Sequence, residues 1–68
     1  MGSRALRKQI IEMLGLLVER YPNLRIGQII HNAAGGLDLY STPDAELARG
    51  LNQLFITYTQ LEAAGIKP

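Results

Sequence analysis

Apolar residues recur at helical spacing in three stretches of the chain, which predicts helices over residues 4–21, 24–34 and 43–64. The central stretch is the most sharply two-faced. Its apolar positions follow the i, i+3, i+4, i+7 rule and are Ile26, Ile29, Ile30 and Ala33. The first stretch is apolar over a wider arc, as expected for a helix with more than one neighbour. The sequence therefore predicts an all-α, three-helix domain in which two long helices flank a short central one.

Residues that favour turns and caps mark where these helices begin and end. Pro22 disfavours helical geometry at the preceding residue and lacks an N–H, so it ends the first helix. Asn23 is expected to cap the central helix, and Gly35 to end it in the left-handed conformation. Thr42 suits the N-cap of the last helix, and Gly65 ends it.

Two features between these landmarks concern packing. The loop over residues 35–42 contains Leu37, Leu39 and Tyr40, so we expect it to fold back onto the core. Gly15 lies inside the first helix, where a glycine costs about 1 kcal/mol relative to alanine. Either another helix approaches closely there, or the glycine has no packing role.

The last predicted helix carries an a/d-type apolar seam, with positions spaced alternately by four and three residues. The helix is longer than contact with the central helix requires, so part of the seam should meet the first helix or a second chain. These two uses do not exclude each other. The seam residues are therefore also the candidate oligomer interface: Leu47, Leu51, Leu54, Phe55, Tyr58 and Leu61.

Composition favours self-association. The chain has 68 residues, of which 47% are hydrophobic, and a domain this small has too much surface to hide so many apolar side chains. It has no cysteine and one histidine, which leaves no disulfide, no thiolate site and little for a dedicated metal site. Because neither a disulfide nor a bound metal is available, oligomerisation is the remaining way to stabilise a small core. We expect a homo-oligomer with no metal and no cofactor.

Charge and hydropathy restrict the compartment and the partners. A net charge of +1 is too small to favour nucleic acid or an anionic membrane. No apolar run approaches the roughly 18 residues of a membrane span, and the lack of cysteine fits a reducing compartment, so we expect a cytoplasmic protein without a membrane partner. Met1-Gly2-Ser3 is interpreted as a remnant of an expression vector, which leaves 4–68 as a single helical domain.

The polar side of the central helix is the candidate surface for a further protein partner. Its residues are Arg25, Gln28, His31 and Asn32. Arginine, glutamine and asparagine also read base edges, so a DNA-binding regulator of helix-turn-helix type is the alternative. The loop that follows is longer than the tight turn of that motif. A solvated helix face, or polar groups that bond the loop over residues 38–40, explains the pattern better.

Two electrostatic pairings are conceivable around the loop. Arg25 with Asp38 or Asp44 would tie the central helix to the next segment by an ion pair. His31 with Asp38 has the composition of a general-base pair, but no nucleophile accompanies it, and hydroxyls in this region are better explained as caps. An enzyme is thus the least favoured class.

One run of residues carries a family resemblance. The run Tyr21-Pro-Asn-Leu-Arg-Ile-Gly-Gln-Ile-Ile-His-Asn32, followed by Asp38-Leu-Tyr40 and by the acidic helix start Asp44-Ala-Glu-Leu47, resembles a pattern in small bacterial and phage proteins with no assigned function. The resemblance implies no activity. It implies that the matching positions form one structural unit, namely Pro22, Arg25, Gly27, Gln28, Asn32, Asp38 and Tyr40. The sequence as a whole predicts a small, non-enzymatic interaction or assembly module that self-associates as a dimer or higher oligomer through its long helices.

Overall fold

The computed structural model describes residues 4–68, and the expected vector remnant at residues 1–3 lies outside this range. The described residues form three α-helices, α1 (Arg4–Arg20), α2 (Ile26–Ala33) and α3 (Asp44–Ala63), and no strand. A single 3-10 turn, η1 (Leu39–Ser41), lies just before α3. The predicted all-α, three-helix fold is confirmed, although each helix is shorter than its predicted range. None of the helices in residues 4–68 is long and apolar enough to cross a membrane.

The packing order of the helices differs from the expected one. α1 and α2 both pack extensively against α3 and touch each other far less. The expectation that the short helix is clamped between the two long ones is therefore wrong, because α3 occupies that place. α2 has only 8 residues, about 12 Å of helix, so it is too short to separate α1 from α3 along a molecule that is 39 Å long.

The core lies where all three helices meet. Leu17 of α1, Ile29 of α2 and Leu51 of α3 are fully buried, and each such side chain contributes about 1.5–3 kcal/mol relative to exposure. Tyr21 and Tyr58 pack edge-to-face beside them, with ring centroids 5.2 Å apart and planes at 75°. Half-buried residues surround this centre: Ile10, Met13, Leu14, Val18, Leu24, Leu47, Leu54, Phe55 and Leu61.

Gly50 sets the distance between α2 and α3. A Cβ added to Gly50 would lie only 1.8 Å from the carbonyl oxygen of Ala33, which is far inside contact distance. The two backbones meet so closely that only glycine fits. A Cβ at Gly15 would meet nothing within 4 Å, so close approach by another helix of this chain does not explain that glycine.

The helix ends follow the sequence signals at their C-termini but not at their N-termini. Gly35 (φ 67°) ends α2 and Gly65 (φ 80°) ends α3, each in the left-handed conformation as predicted. The Ile66 N–H donates to the Leu61 carbonyl at 2.8 Å, which is the long-range bond of a Schellman motif.

The predicted N-caps are wrong for both later helices. α2 begins at Ile26, so Arg25 rather than Asn23 precedes it, and no side chain caps that end. The Thr42 hydroxyl donates to the Asp38 carbonyl at 2.7 Å instead of capping α3. Neither helix therefore has a side-chain cap at its N-terminus.

Candidate interaction surfaces

A polar contact that joins α1 and α3 near their C-terminal ends is centred on Glu62. Its Oε1 atom accepts a hydrogen bond from the Tyr21 hydroxyl at 2.8 Å and one from Arg20 Nε at 3.3 Å. The Arg20 guanidinium lies over the Phe55 ring, 5.7 Å from its centroid. We call Arg20, Tyr21 and Glu62 the C-terminal latch.

The latch shifts the pKa values of Glu62 and Arg20 in the directions expected when a charged group is hydrogen-bonded. The hydrogen bond from the Tyr21 hydroxyl, aided by the Arg20 guanidinium, lowers the pKa of Glu62 below its ordinary value of 4.5, although partial burial acts in the opposite direction. The hydrogen bonds to Tyr21 and Glu62 raise the pKa of Arg20. Both side chains are therefore held in the charged form by each other and by Tyr21.

Beside the latch lies a small cavity of about 180 Å³. Residues 20–24, Glu62, Lys67 and Pro68 line it. Its carboxylate and guanidinium are already bonded to each other, so they are engaged within the chain. Of the charged side chains that line the cavity, only Lys67 lies outside this pair.

The polar surface predicted on the central helix is only partly available to a partner. Gln28 and His31 are exposed on α2, and Arg25, the residue before α2, is also exposed. The Asn32 side-chain amide donates to the Tyr58 hydroxyl at 3.4 Å, which ties α2 to α3. One of the four predicted partner residues is therefore engaged in the fold.

The predicted ion pair of Arg25 with Asp38 or Asp44 does not form. Asp44 pairs instead with Arg7, across α1 and α3, at 3.5 Å. The Asp38 carboxylate accepts bonds from its own turn. Both carboxylates are thus held by donors other than Arg25, so the residue before α2 is not tied to the next segment by charge.

The loop before α3 is built around Asp38, whose carboxylate is engaged within its own turn. The Asp38 carboxylate accepts hydrogen bonds from the Tyr40 N–H and the Ser41 hydroxyl, each at 3.2 Å. The backbone carbonyl of Asp38 accepts one from the Thr42 hydroxyl. The carboxylate makes no bond to His31 among these. No group of three or more histidine, aspartate or glutamate side chains within residues 4–68 is arranged to hold a metal ion.

The same loop does not fold back onto the core. Leu37 is 60% exposed and Tyr40 is 96% exposed, so the expectation of a core-packed loop is wrong. The bonds of Asp38 satisfy the backbone locally, and they hold the turn in a shape that points its apolar side chains outwards. Such a preorganised apolar loop is a feature that sequence periodicity does not reveal.

The seam of α3 serves the core of its own chain. Leu51 and Tyr58 are buried, so they cannot also face a second chain in this fold. The other four seam residues are half-buried against the core: Leu47, Leu54, Phe55 and Leu61. The use of the seam as an oligomer interface stays a prediction, and it applies only to these four.

Large apolar side chains nevertheless remain at the surface. Those exposed among the described residues are Ile11, Leu16, Ile26, Leu37, Leu39, Tyr40, Ile56 and Ile66. Ile11, at 69%, is the most exposed of those on a helix. Ile26 belongs to the predicted apolar side of the central helix, and Ile11 and Leu16 widen the apolar arc of the first helix, but none of the three described helices buries them.

Two grooves run between α1 and α3 and contain some of these residues. We call the first the N-terminal groove; its volume is about 290 Å³ and it is lined by Arg7, Ile10, Ile11, Asp44 and Leu47. The second, of about 320 Å³, is lined by Leu16, Glu19, Arg20 and Phe55. Both are apolar clefts with charged side chains at the edge, a composition typical of contact surfaces between proteins.

Comparison of the chain with protein-family models, with curated proteins and with solved structures finds no match. The resemblance to small bacterial and phage proteins therefore stays a prediction.

Proposed function

We propose that this protein is a small, non-enzymatic interaction module that self-associates through apolar surface left uncovered by its three helices. The observation that carries the proposal is the exposure of large apolar side chains on a fold with a very small buried centre. Scattered exposed apolar residues are ordinary, but here two of them, Ile11 and Leu16, line grooves between the same two helices. Burial of such surface against another protein surface is the most direct way to stabilise it.

The chemistry of the polar groups favours binding over catalysis. Asp38, Ser41 and Thr42, which lie near the single histidine in sequence, are used to shape the loop. Glu62 is used to hold α1 to α3. Catalysis needs a nucleophile or base that is free to reach a substrate in a shaped pocket, and these groups are committed elsewhere.

The DNA-binding alternative gains no support from the geometry. In a helix-turn-helix, a tight turn of three to four residues joins the two helices, whereas residues 34–43 separate α2 from α3. Of the residues proposed to read bases, Asn32 is bonded to Tyr58. Gln28 and His31 remain exposed and are better considered as a surface for a further protein partner.

The solution mass tests the proposal. We would measure it by light scattering after size exclusion over a dilution series that spans about three decades of concentration, since a Kd in the micromolar range is expected for a modest interface. A dimer or larger species that dissociates on dilution supports self-association. A monomer at every concentration overturns it.

A further inference from the structure

We propose that the N-terminal groove is where a second copy of this chain docks, in a twofold arrangement that places Arg7 of each copy opposite Asp44 of the other. This inference rests on the proposed function, and it adds the location and the symmetry of the contact. It also replaces the α3 seam as the main interface.

The floor of the groove supplies apolar surface that the chain itself leaves uncovered. Ile10 and Leu47 are half-buried there, and Ile11 is 69% exposed beside them. α2 does not reach this part of the molecule, because its last residue, Ala33, already lies against Gly50. A third helical element is missing at this end, and a helix of a second copy has the right chemistry to supply it.

The charges at the edge of the groove favour a second copy over another class of partner. The edge carries one cation, Arg7, on the α1 side and one anion, Asp44, on the α3 side, with their charged atoms 3.5 Å apart. A twofold interface requires a surface that is complementary to itself. A twofold axis that runs along the groove places the α1 wall of one copy against the α3 wall of the other. Arg7 of each copy then faces Asp44 of its partner. A strongly acidic or basic partner would find an opposite charge at one of these two positions and a like charge at the other.

Features next to the groove fit the same arrangement. Gly15 lies one helical turn after Ile11 on the same side of α1, and nothing occupies the space above it. η1 ends three residues before Asp44, so its exposed Tyr40 lies at the same end of the molecule. When the axis exchanges the walls, the loop of one copy therefore faces the Arg7 end of α1 of the other. Tyrosine is a residue type enriched where binding energy concentrates.

The first test replaces Ile11 by glutamate. Because Ile11 is exposed and glutamate is a good helix former, the variant I11E should fold, which circular dichroism would check. We expect its dimer dissociation constant to rise at least about tenfold. Ile56, which is also exposed but lies on α3 away from the groove, gives the matched control I56E, and its dissociation constant should stay within about twofold of the original.

The second test separates pairing within one chain from pairing between chains. The variants R7E and D44R each place like charges opposite each other twice in the proposed dimer, so each alone should be mainly monomeric. When the two are mixed, the glutamate introduced in R7E meets the arginine introduced in D44R, and the unchanged Arg7 of one copy meets the unchanged Asp44 of the other. A heterodimer should therefore form. An ion pair that exists only within a chain predicts no effect of mixing.

The outcomes distinguish this inference from the proposed function. A monomeric original protein overturns both. An original protein that dimerises while I11E also dimerises, or while the R7E and D44R mixture gives no heterodimer, overturns the groove and leaves self-association standing. Loss of the dimer in L16E but not in I11E places the contact at the second groove and likewise overturns this inference. Loss in I11E together with heterodimer formation on mixing supports it.

Discussion

The two ends of this small bundle are built from similar residues but reach different degrees of burial. Where α2 lies on α3, from Gly50 onwards, three helices meet and enclose Leu17, Ile29 and Leu51 completely. At the other end only α1 and α3 are present, and no described residue before Leu17 is buried. The difference shows that the third helix, rather than the apolarity of the sequence, decides whether a side chain is buried.

The polar contacts at the two ends differ in the same way. At the three-helix end, Glu62 accepts from the buried Tyr21 and from Arg20, and Tyr58 accepts from Asn32, so the contacts involve all three helices. At the two-helix end, the contact is the ion pair of Arg7 with Asp44, and the Arg7 side chain is 72% exposed. One end is thus closed by packing and hydrogen bonds, and the other is left open.

The largest effect should come from two adjacent leucines of α1, of which Leu17 faces the core and Leu16 faces the second groove. Leu17→Ala removes a fully buried side chain and should lower the free energy of unfolding by about 2–5 kcal/mol, which is most of the stability of a domain this size. Leu16→Ala removes a side chain that is 54% exposed and should cost less than about 1 kcal/mol. Urea unfolding followed by circular dichroism measures both. Similar losses for the two would show that the burial boundary is drawn in the wrong place.

Glycines give the next largest contrast. Gly50→Ala inserts a methyl group into the contact of α3 with the Ala33 backbone, so the helices must separate, and we expect a loss of about 1–3 kcal/mol. Gly27→Ala, in an open position of α2, should instead gain up to about 1 kcal/mol from helix propensity. Opposite signs in the midpoint of thermal unfolding are the expected result. A gain for Gly50→Ala would mean that the helices are not in close contact there.

These glycines also show how far the sequence alone could go. Helical periodicity located all three helices, and the left-handed glycines at positions 35 and 65 were found because their signal is local. The role of Gly50 could not be found, because Gly15, Gly27 and Gly50 all lie inside helices and differ only in what packs against them. Close approach is a property of the tertiary structure and leaves no local pattern.

The candidate surfaces were predictable to a similar extent. The pattern identified the polar side of α2, and Gln28 and His31 are indeed exposed. It offered Asp38 or Asp44 as the ion-pair partner of Arg25. The Asp38 carboxylate instead accepts from its own turn, because donors only two and three residues away can reach it without any long-range contact. The pattern left open whether part of the α3 seam meets the first helix or a second chain, and Leu51 and Tyr58 are buried within their own chain.

A smaller effect is expected from the ion pair at the open end. Arg7→Gln should change the free energy of unfolding of the monomer by less than about 1 kcal/mol, because an exposed pair gains little Coulomb energy in water. That small difference should shrink further as salt rises from about 0.05 M to about 1 M, since ions screen exposed charges. Unfolding measured at concentrations where the chain is monomeric provides the check. A loss above about 2 kcal/mol that salt does not reduce would contradict the open character of this end.

The C-terminal latch gives the smallest effect, and it is visible through its pH dependence. Because the pKa of Glu62 in the folded chain lies below 4.5, the unfolded chain binds more protons in the acid range. The stabilisation by Glu62 is therefore fully present above about pH 4.5 and is lost as the pH falls through the folded value. Glu62→Gln removes this titration, so its stability difference from the original protein should shrink from about pH 6 to about pH 3, in urea unfolding at each pH. A pH-independent difference would mean that the carboxylate charge is not what the latch uses.

Tyr21→Phe removes the leading cause of the shift in the pKa of Glu62, so the NMR titration midpoint of Glu62 should rise towards its ordinary value. Tyr58→Phe leaves both donors to Glu62 in place and should leave that midpoint unchanged.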